Sequence, residues 1–141
     1  MSATGTSATS LVILRGNSGS GKSSTARALR ERVGRGLAWV EQDHLRRTLL
    51  REHDVPGGVN IGLIDQTVRY ALDHGYDAVL DGILYADHYG AMLRRLAADH
   101  AGTTTAYYFD LTLATTLQRH ATRPAVGDGG AGRPPTLVPT P

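Results

Sequence analysis

The octapeptide Gly16-Asn17-Ser18-Gly19-Ser20-Gly21-Lys22-Ser23 constrains this chain more than any other feature. It fits G-x-x-x-x-G-K-[ST], in which the glycines let the backbone curl so that successive N–H groups point inward at a phosphate. Before it, Leu11, Val12, Ile13 and Leu14 form a continuous apolar run suited to a strand buried on both faces. After it, Ala26, Leu29 and Val33 recur at helical spacing until Gly34 stops the pattern. Strand, glycine-rich turn and helix in that order bring the positive helix end to the anion. From average residue usage the motif arises by chance in on the order of 1% of chains this long, and the flanking pattern makes a mere flexible turn the poorer reading. Gly16 to Ser24 are therefore the expected nucleotide-binding residues. Lys22 would bridge the β- and γ-phosphates, and Ser23 would place its hydroxyl on Mg²⁺, which prefers oxygen ligands.

The same alternation continues along the chain. Leu37 to Val40 is a second short apolar run, and Asp43 opens a helical stretch carrying Leu45 and Leu49. A loop follows at Asp54, Pro56, Gly57 and Gly58. Asn60 is the expected cap of a helix whose stripe is Ile61, Ile64, Val68, Ala71 and Leu72, closed by Gly75. Tyr76 to Leu80 predicts the third strand, Tyr89, Leu93, Leu96 and Ala97 the next helix, and Thr104 to Phe109 the fourth strand. Thr112 to Ala121 is the last helical pattern. Strand and helix alternating in this way predict an α/β three-layer sandwich with a mainly parallel sheet and a ligand crevice at the carboxyl ends of the strands.

Composition narrows the functional classes. One domain is expected of 141 residues, and no apolar run is long enough to span a bilayer. The absence of cysteine excludes disulfide scaffolds and thiolate metal sites, and it allows a cytoplasmic location. A net charge of +2 is too small for a tail-like nucleic-acid binder. Lys22 is the only lysine, so an Asn-Lys-x-Asp guanine-reading motif is impossible and a GTPase is disfavoured. Six scattered histidines, none paired at helical spacing around a carboxylate, make a zinc site improbable.

Three further sites carry chemistry. Asp81 ends the run Ala78-Val79-Leu80, where a carboxylate holds Mg²⁺ beside a phosphate loop, although a strand ending in Asp-Gly is also ordinary turn chemistry. Asp43 follows the second strand and emerges at the same sheet edge, placed to take the proton of an attacking hydroxyl; the bland alternative is a helix cap. Arg46, one turn on, is placed to hold an anionic part of the acceptor. Arg119 and Arg123 lie four apart and share a helical face, although surface arginines are usually only solvated. Tyr85, Asp87, His88 and Tyr89 follow Asp81 and read better as helix-start and packing residues than as an acceptor pocket; Trp39 reads as core and Asp110 as a turn residue.

In order, GNSGSGKSS, QDHLRR, DGILY and YYFDLTLATTLQRHATRP resemble the P-loop kinases that include polynucleotide 5′-hydroxyl kinase, zeta toxins and chloramphenicol phosphotransferase. The likeness covers about residues 11 to 124. It implies a P-loop NTPase fold like that of nucleoside monophosphate kinases, ATP and Mg²⁺ as cofactors, and γ-phosphoryl transfer to a hydroxyl of a small molecule or a nucleic-acid end. It further implies Asp43 as the base, Arg46 as a contact for substrate phosphate, and Arg119 and Arg123 as phosphate-binding arginines of a lid. The alternative from another class is an ATP-binding P-loop protein without turnover, a regulator or a truncated kinase.

The two ends of the chain read as outside this domain. Residues 1–10 are polar and predict a disordered leader, which leaves 11–123 as the kinase domain. Residues 124–141 hold five of the six prolines and four glycines, which predicts a disordered tail and a C-terminally shortened fold whose last residues stay out of the sheet.

Overall fold

A computed structural model describes residues 3–17, 19–109 and 137–139. Four parallel strands, β1 (Ser10–Gly16), β2 (Leu37–Glu41), β3 (Asp77–Gly82) and β4 (Thr103–Phe109), form the body of one sheet. Its order is β2-β3-β1-β4-β5, where β5 (Leu137–Pro139) pairs antiparallel with β4. Helices α1 (Lys22–Val33), α2 (Val59–Asp73) and α3 (Ala86–Asp99) connect the parallel strands, and a short π-helical turn His44–Leu49 follows β2. Among the described residues no helix is long and apolar enough to cross a membrane.

Period-2 alternation along the strands divides the core into two layers. On one face Leu11, Ile13, Ala78 and Leu80 meet Ile64, Val68 and Leu72 of α2 and Tyr89, Met92, Leu93 and Leu96 of α3. On the other Leu14, Val79 and Phe109 meet Ala26 and Leu29 of α1. Each fully buried aliphatic or aromatic side chain contributes about 1.5–3 kcal/mol of transfer free energy. The expected three-layer α/β sandwich with a mainly parallel sheet is what the chain forms.

Three expectations are corrected. The leader is not outside the domain but packs on it from Thr4 onward: Thr4 N–H donates to the Asp99 carbonyl at 2.9 Å, Ala101 N–H to the Thr4 carbonyl at 2.9 Å, and Gly5 N–H to Asp73 Oδ1 at 2.8 Å. Arg69 Nη1 donates to Thr4 Oγ1 at 2.8 Å, and buried Thr9 meets His100 Nε2 at 2.9 Å. Polar pairing, not apolar burial, holds this segment, so a count of its apolar residues missed it. Secondly, Leu137–Pro139 joins the sheet, with Leu137 opposite Phe109. Proline is compatible with that edge position. The other tail residues, and the helical pattern of Thr112 to Ala121, lie outside the described residues.

The third correction concerns α2, which begins at Val59 and whose expected cap Asn60 is buried inside it. Glu52 does the capping instead. Its Oε2 accepts Val59 N–H at 2.7 Å, and its Oε1 accepts Asn60 N–H at 2.9 Å and Asn60 Nδ2 at 3.0 Å. These donors, the Asn60 backbone first, hold the Glu52 carboxyl below its ordinary value. Arg51, with φ 53°, makes the left-handed bend just before Glu52.

Candidate active site

Gly16 ends β1 with φ 147° beside β4, and a Cβ there would lie 2.6 Å from the Phe109 carbonyl oxygen. Only glycine lets the phosphate loop leave the sheet so close to β4. The loop closes through Ser20 N–H to the Asn17 carbonyl at 3.2 Å, and Gly21, with φ 108°, starts α1. Lys22 is therefore a first-turn helix residue and not an exposed loop lysine: it is only 7% exposed, and its Nζ donates to the Asn17 carbonyl at 2.9 Å. Burial lowers its pKa, while the charges of Asp81 and Asp43 act in the opposite direction.

Lys22 lies in a cleft of about 370 Å³ at the carboxyl edge of the sheet, which Gly19, Gly21, Ser23 and Ser24 also line. The other wall comes from the ends of β2 and β3 and the turn after β2, which supply Asp43, Arg46, Arg47 and Asp81. The structure thus brings together Gly19, Gly21, Lys22, Ser23, Ser24, Asp43, Arg46 and Asp81 from the sequence-derived set. Gly16 and Asn17 line a smaller apolar cleft of about 220 Å³ with Arg15, Leu84, Tyr85 and Tyr108. Ser20 is buried and its Oγ has no hydrogen-bond partner among the described residues. Ser18, Asp110, Arg119 and Arg123 lie outside the described residues.

The two carboxylates of the wall have opposite surroundings. Asp81, at the end of β3, is 5% exposed, and its Oδ2 accepts the Trp39 indole N–H at 2.6 Å. Desolvation raises its pKa, and the Trp39 hydrogen bond opposes that rise. Asp43 is 65% exposed and makes long ion pairs with Arg46 Nη2 at 3.5 Å and Arg47 Nη1 at 3.7 Å. It caps nothing: its backbone is already helical and its side chain accepts no capping bond. Arg46 is only 17% exposed and donates from Nη1 to the Glu52 carbonyl at 2.8 Å, whereas Arg47 is 67% exposed. The arginine expected at the acceptor therefore also ties down the 50–58 loop.

Sequence reading missed the polar lattice beneath this wall. Gln42, next to Asp43, is buried and donates from Nε2 to the Tyr89 hydroxyl at 2.9 Å. That hydroxyl shares its single hydrogen between Asn60 Oδ1 at 2.9 Å and Asp54 Oδ1 at 3.0 Å, and Asp54 also meets His88 Nδ1 at 2.9 Å. Burial above all pushes the Tyr89 phenol up to about 12, so it remains a donor. Gly82 gives Gln42 room, since a Cβ there would lie 2.6 Å from Gln42 Cβ. Tyr89 is thus a packing residue as expected, with a second role that its helical spacing does not show.

Fold and cleft together define a kinase-like P-loop protein of α/β architecture. A family model described as an AAA domain matches residues 11–133, and the chain belongs to that family. It is similar to the solved structure of the Mycobacterium tuberculosis APS kinase CysC in complex with AMPPNP and APS, with 23% identity, a TM-score of 0.62, and 93% of this chain and 77% of that chain covered. A gluconokinase from Sinorhizobium meliloti shares 19% identity at a TM-score of 0.53, covering 94% of this chain and 72% of that chain. The Pnkp1/Rnl/Hen1 RNA repair complex gives 20% identity and a TM-score of 0.58 over 82% of this chain and 37% of that chain. No curated protein matches the chain in sequence.

Proposed function

We propose that the protein is an ATP-dependent phosphotransferase that moves the γ-phosphoryl group to a hydroxyl of a small molecule or of a nucleic-acid end. The observation that carries this reading is the meeting of Lys22, Ser23, Asp81 and Asp43 in one cleft, although they come from three different strand-to-helix junctions. Structural likeness to proteins described as APS kinase and gluconokinase supports it. Lys22 compensates charge on the phosphates, and the backbone N–H groups of the loop and of the first turn of α1 orient them. Asp43 accepts the proton of the acceptor hydroxyl as its oxygen bonds to the γ-phosphorus and the bond to the ADP oxygen breaks. Arg46 fixes the wall beside that base, and Arg47 offers an open guanidinium to an anionic acceptor. On the resemblance alone, Arg119 and Arg123 add phosphate contacts.

The donor set fits Mg²⁺: a serine hydroxyl and a carboxylate are hard oxygen ligands lining the same cleft. Ser23 and Asp81 would hold the ion, which when bound neutralises charge on the phosphate oxygens. The test is an ATP turnover screen against nucleosides, 5′-hydroxyl oligonucleotides, sugars, aminoglycosides and nucleotide sugars. Acceptor-dependent ADP release is expected. Nucleotide binding with no ADP release across the panel would instead identify an ATP-binding protein without turnover.

A further inference from the structure

Trp39 is the only tryptophan of the chain, and its place in the sheet is specific. Trp39 pairs with Val79 and Glu41 with Asp81, so Trp39 and Asp81 are diagonal cross-strand neighbours on the face that α1 covers. An indole spans that diagonal, and its Nε1–H reaches Asp81 Oδ2 at 2.6 Å. The ring is held from above by α1: the guanidinium carbons of Arg27 and Arg30 lie 6.0 Å and 5.6 Å from its centroid, within cation–π range. Rotation of a carboxylate about its last torsion is soft, so a free Asp81 would sample many orientations. One fixed donor removes that freedom and leaves Oδ1 as the oxygen not engaged by Trp39.

We propose that Trp39 is a positioning residue for the metal, orienting Asp81 so that the Mg²⁺ dependence of nucleotide binding is set from a half-buried ring outside the phosphate loop. The inference rests on Asp81 being the carboxylate that holds Mg²⁺. Outer hydrogen-bond partners of metal-holding groups typically change metal affinity by 10–100-fold when removed, so their loss is measurable without turnover.

The experiment follows the anisotropy of a fluorescent ATP analogue on the full chain, first in EDTA and then across a Mg²⁺ titration. Trp39→Phe keeps an aromatic face and deletes only the donor, and replacing Trp39 by benzothienylalanine deletes the N–H with almost no change of shape. Both are expected to bind the analogue normally in EDTA, which also reports an intact fold, and to need about tenfold more Mg²⁺ for half-saturation. Asp81→Asn should need at least as much, and adding Trp39→Phe to it should change nothing further. If Asp81→Asn shifts the Mg²⁺ titration and both Trp39 variants leave it at the wild-type position, the positioning role is overturned while the metal reading of Asp81 stands. If Asp81→Asn leaves the titration unmoved, the metal reading fails and takes the inference with it.

Discussion

The two walls of the cleft are built on different principles. The phosphate-loop wall comes from one short stretch, Gly19 to Ser24, shaped by backbone curl and carrying one lysine. The wall that carries Asp43 rests on Gln42, Glu52, Asp54, Asn60 and Tyr89, residues far apart in the chain that meet through side-chain hydrogen bonds. A local device survives changes elsewhere in the molecule. A distributed one couples the position of Asp43 to three separate segments, so substitutions within that hydrogen-bonded lattice should cost stability as well as activity, while removal of the Lys22 side chain should cost activity far more than stability.

The sharpest way to break this contrast is Lys22→Ala. Phosphoryl transfer should fall below detection with an unfolding midpoint unchanged or slightly raised, because removal of a buried ammonium relieves desolvation. A large loss of stability would show that the phosphate wall is not self-contained. Asp43→Asn comes next: kcat should fall by roughly 10²-fold with ATP affinity nearly unchanged, as expected for loss of a general base. Since Asp43 is exposed and caps nothing, its thermal midpoint should match wild type. An unchanged kcat would remove it from the chemistry.

Tyr89→Phe tests the other wall. It leaves the buried Gln42 amide without its acceptor, at a cost of about 1–3 kcal/mol in urea unfolding. The KM for the acceptor should rise while ATP affinity holds; a stability loss with unaltered kinetics would separate the lattice from the site. The smallest effect lies at the opposite edge of the sheet. Burial holds the His100 imidazole below its ordinary value, so the folded protein binds that proton less tightly than the unfolded chain does. Stability from this group is therefore complete above about pH 6.5 and declines as pH falls below it. His100→Gln should flatten that part of the midpoint profile, and an identical profile would assign the decline to carboxylates.

The fold was legible where periodicity and punctuation coincide. The apolar runs at Leu11 and Ala78, the stripe Ile64, Val68, Leu72 and the glycines after the helices all carry local signals, and the described strands and helices follow them. Asp43 and Asp81 were placed from their positions at strand ends, which fix the sheet edge but not exposure or partners. Glu52 as a cap, Gln42 under Gly82 and Trp39 on Asp81 depend on contacts between segments brought together only by tertiary folding, and no spacing rule encodes them. Thr4 and Thr9 were misread for a related reason: hydrogen bonds to α2, to α3 and to the residues that follow it leave no mark on hydrophobicity.

The pairing of Phe109 with Leu137 has a consequence in polymer terms. The chain leaves the sheet and re-enters it at neighbouring points, so whatever its conformation, the intervening stretch is a ring closed at one anchor. The entropy of closing such a ring grows with the logarithm of its length, about 0.6 kcal/mol for each doubling. The anchor itself sits beside Gly16, the residue paired with Phe109 from the other side. A change at Phe109 is therefore felt on two sides at once, at its pairing with Leu137 and at Gly16, where the chain turns into the phosphate loop.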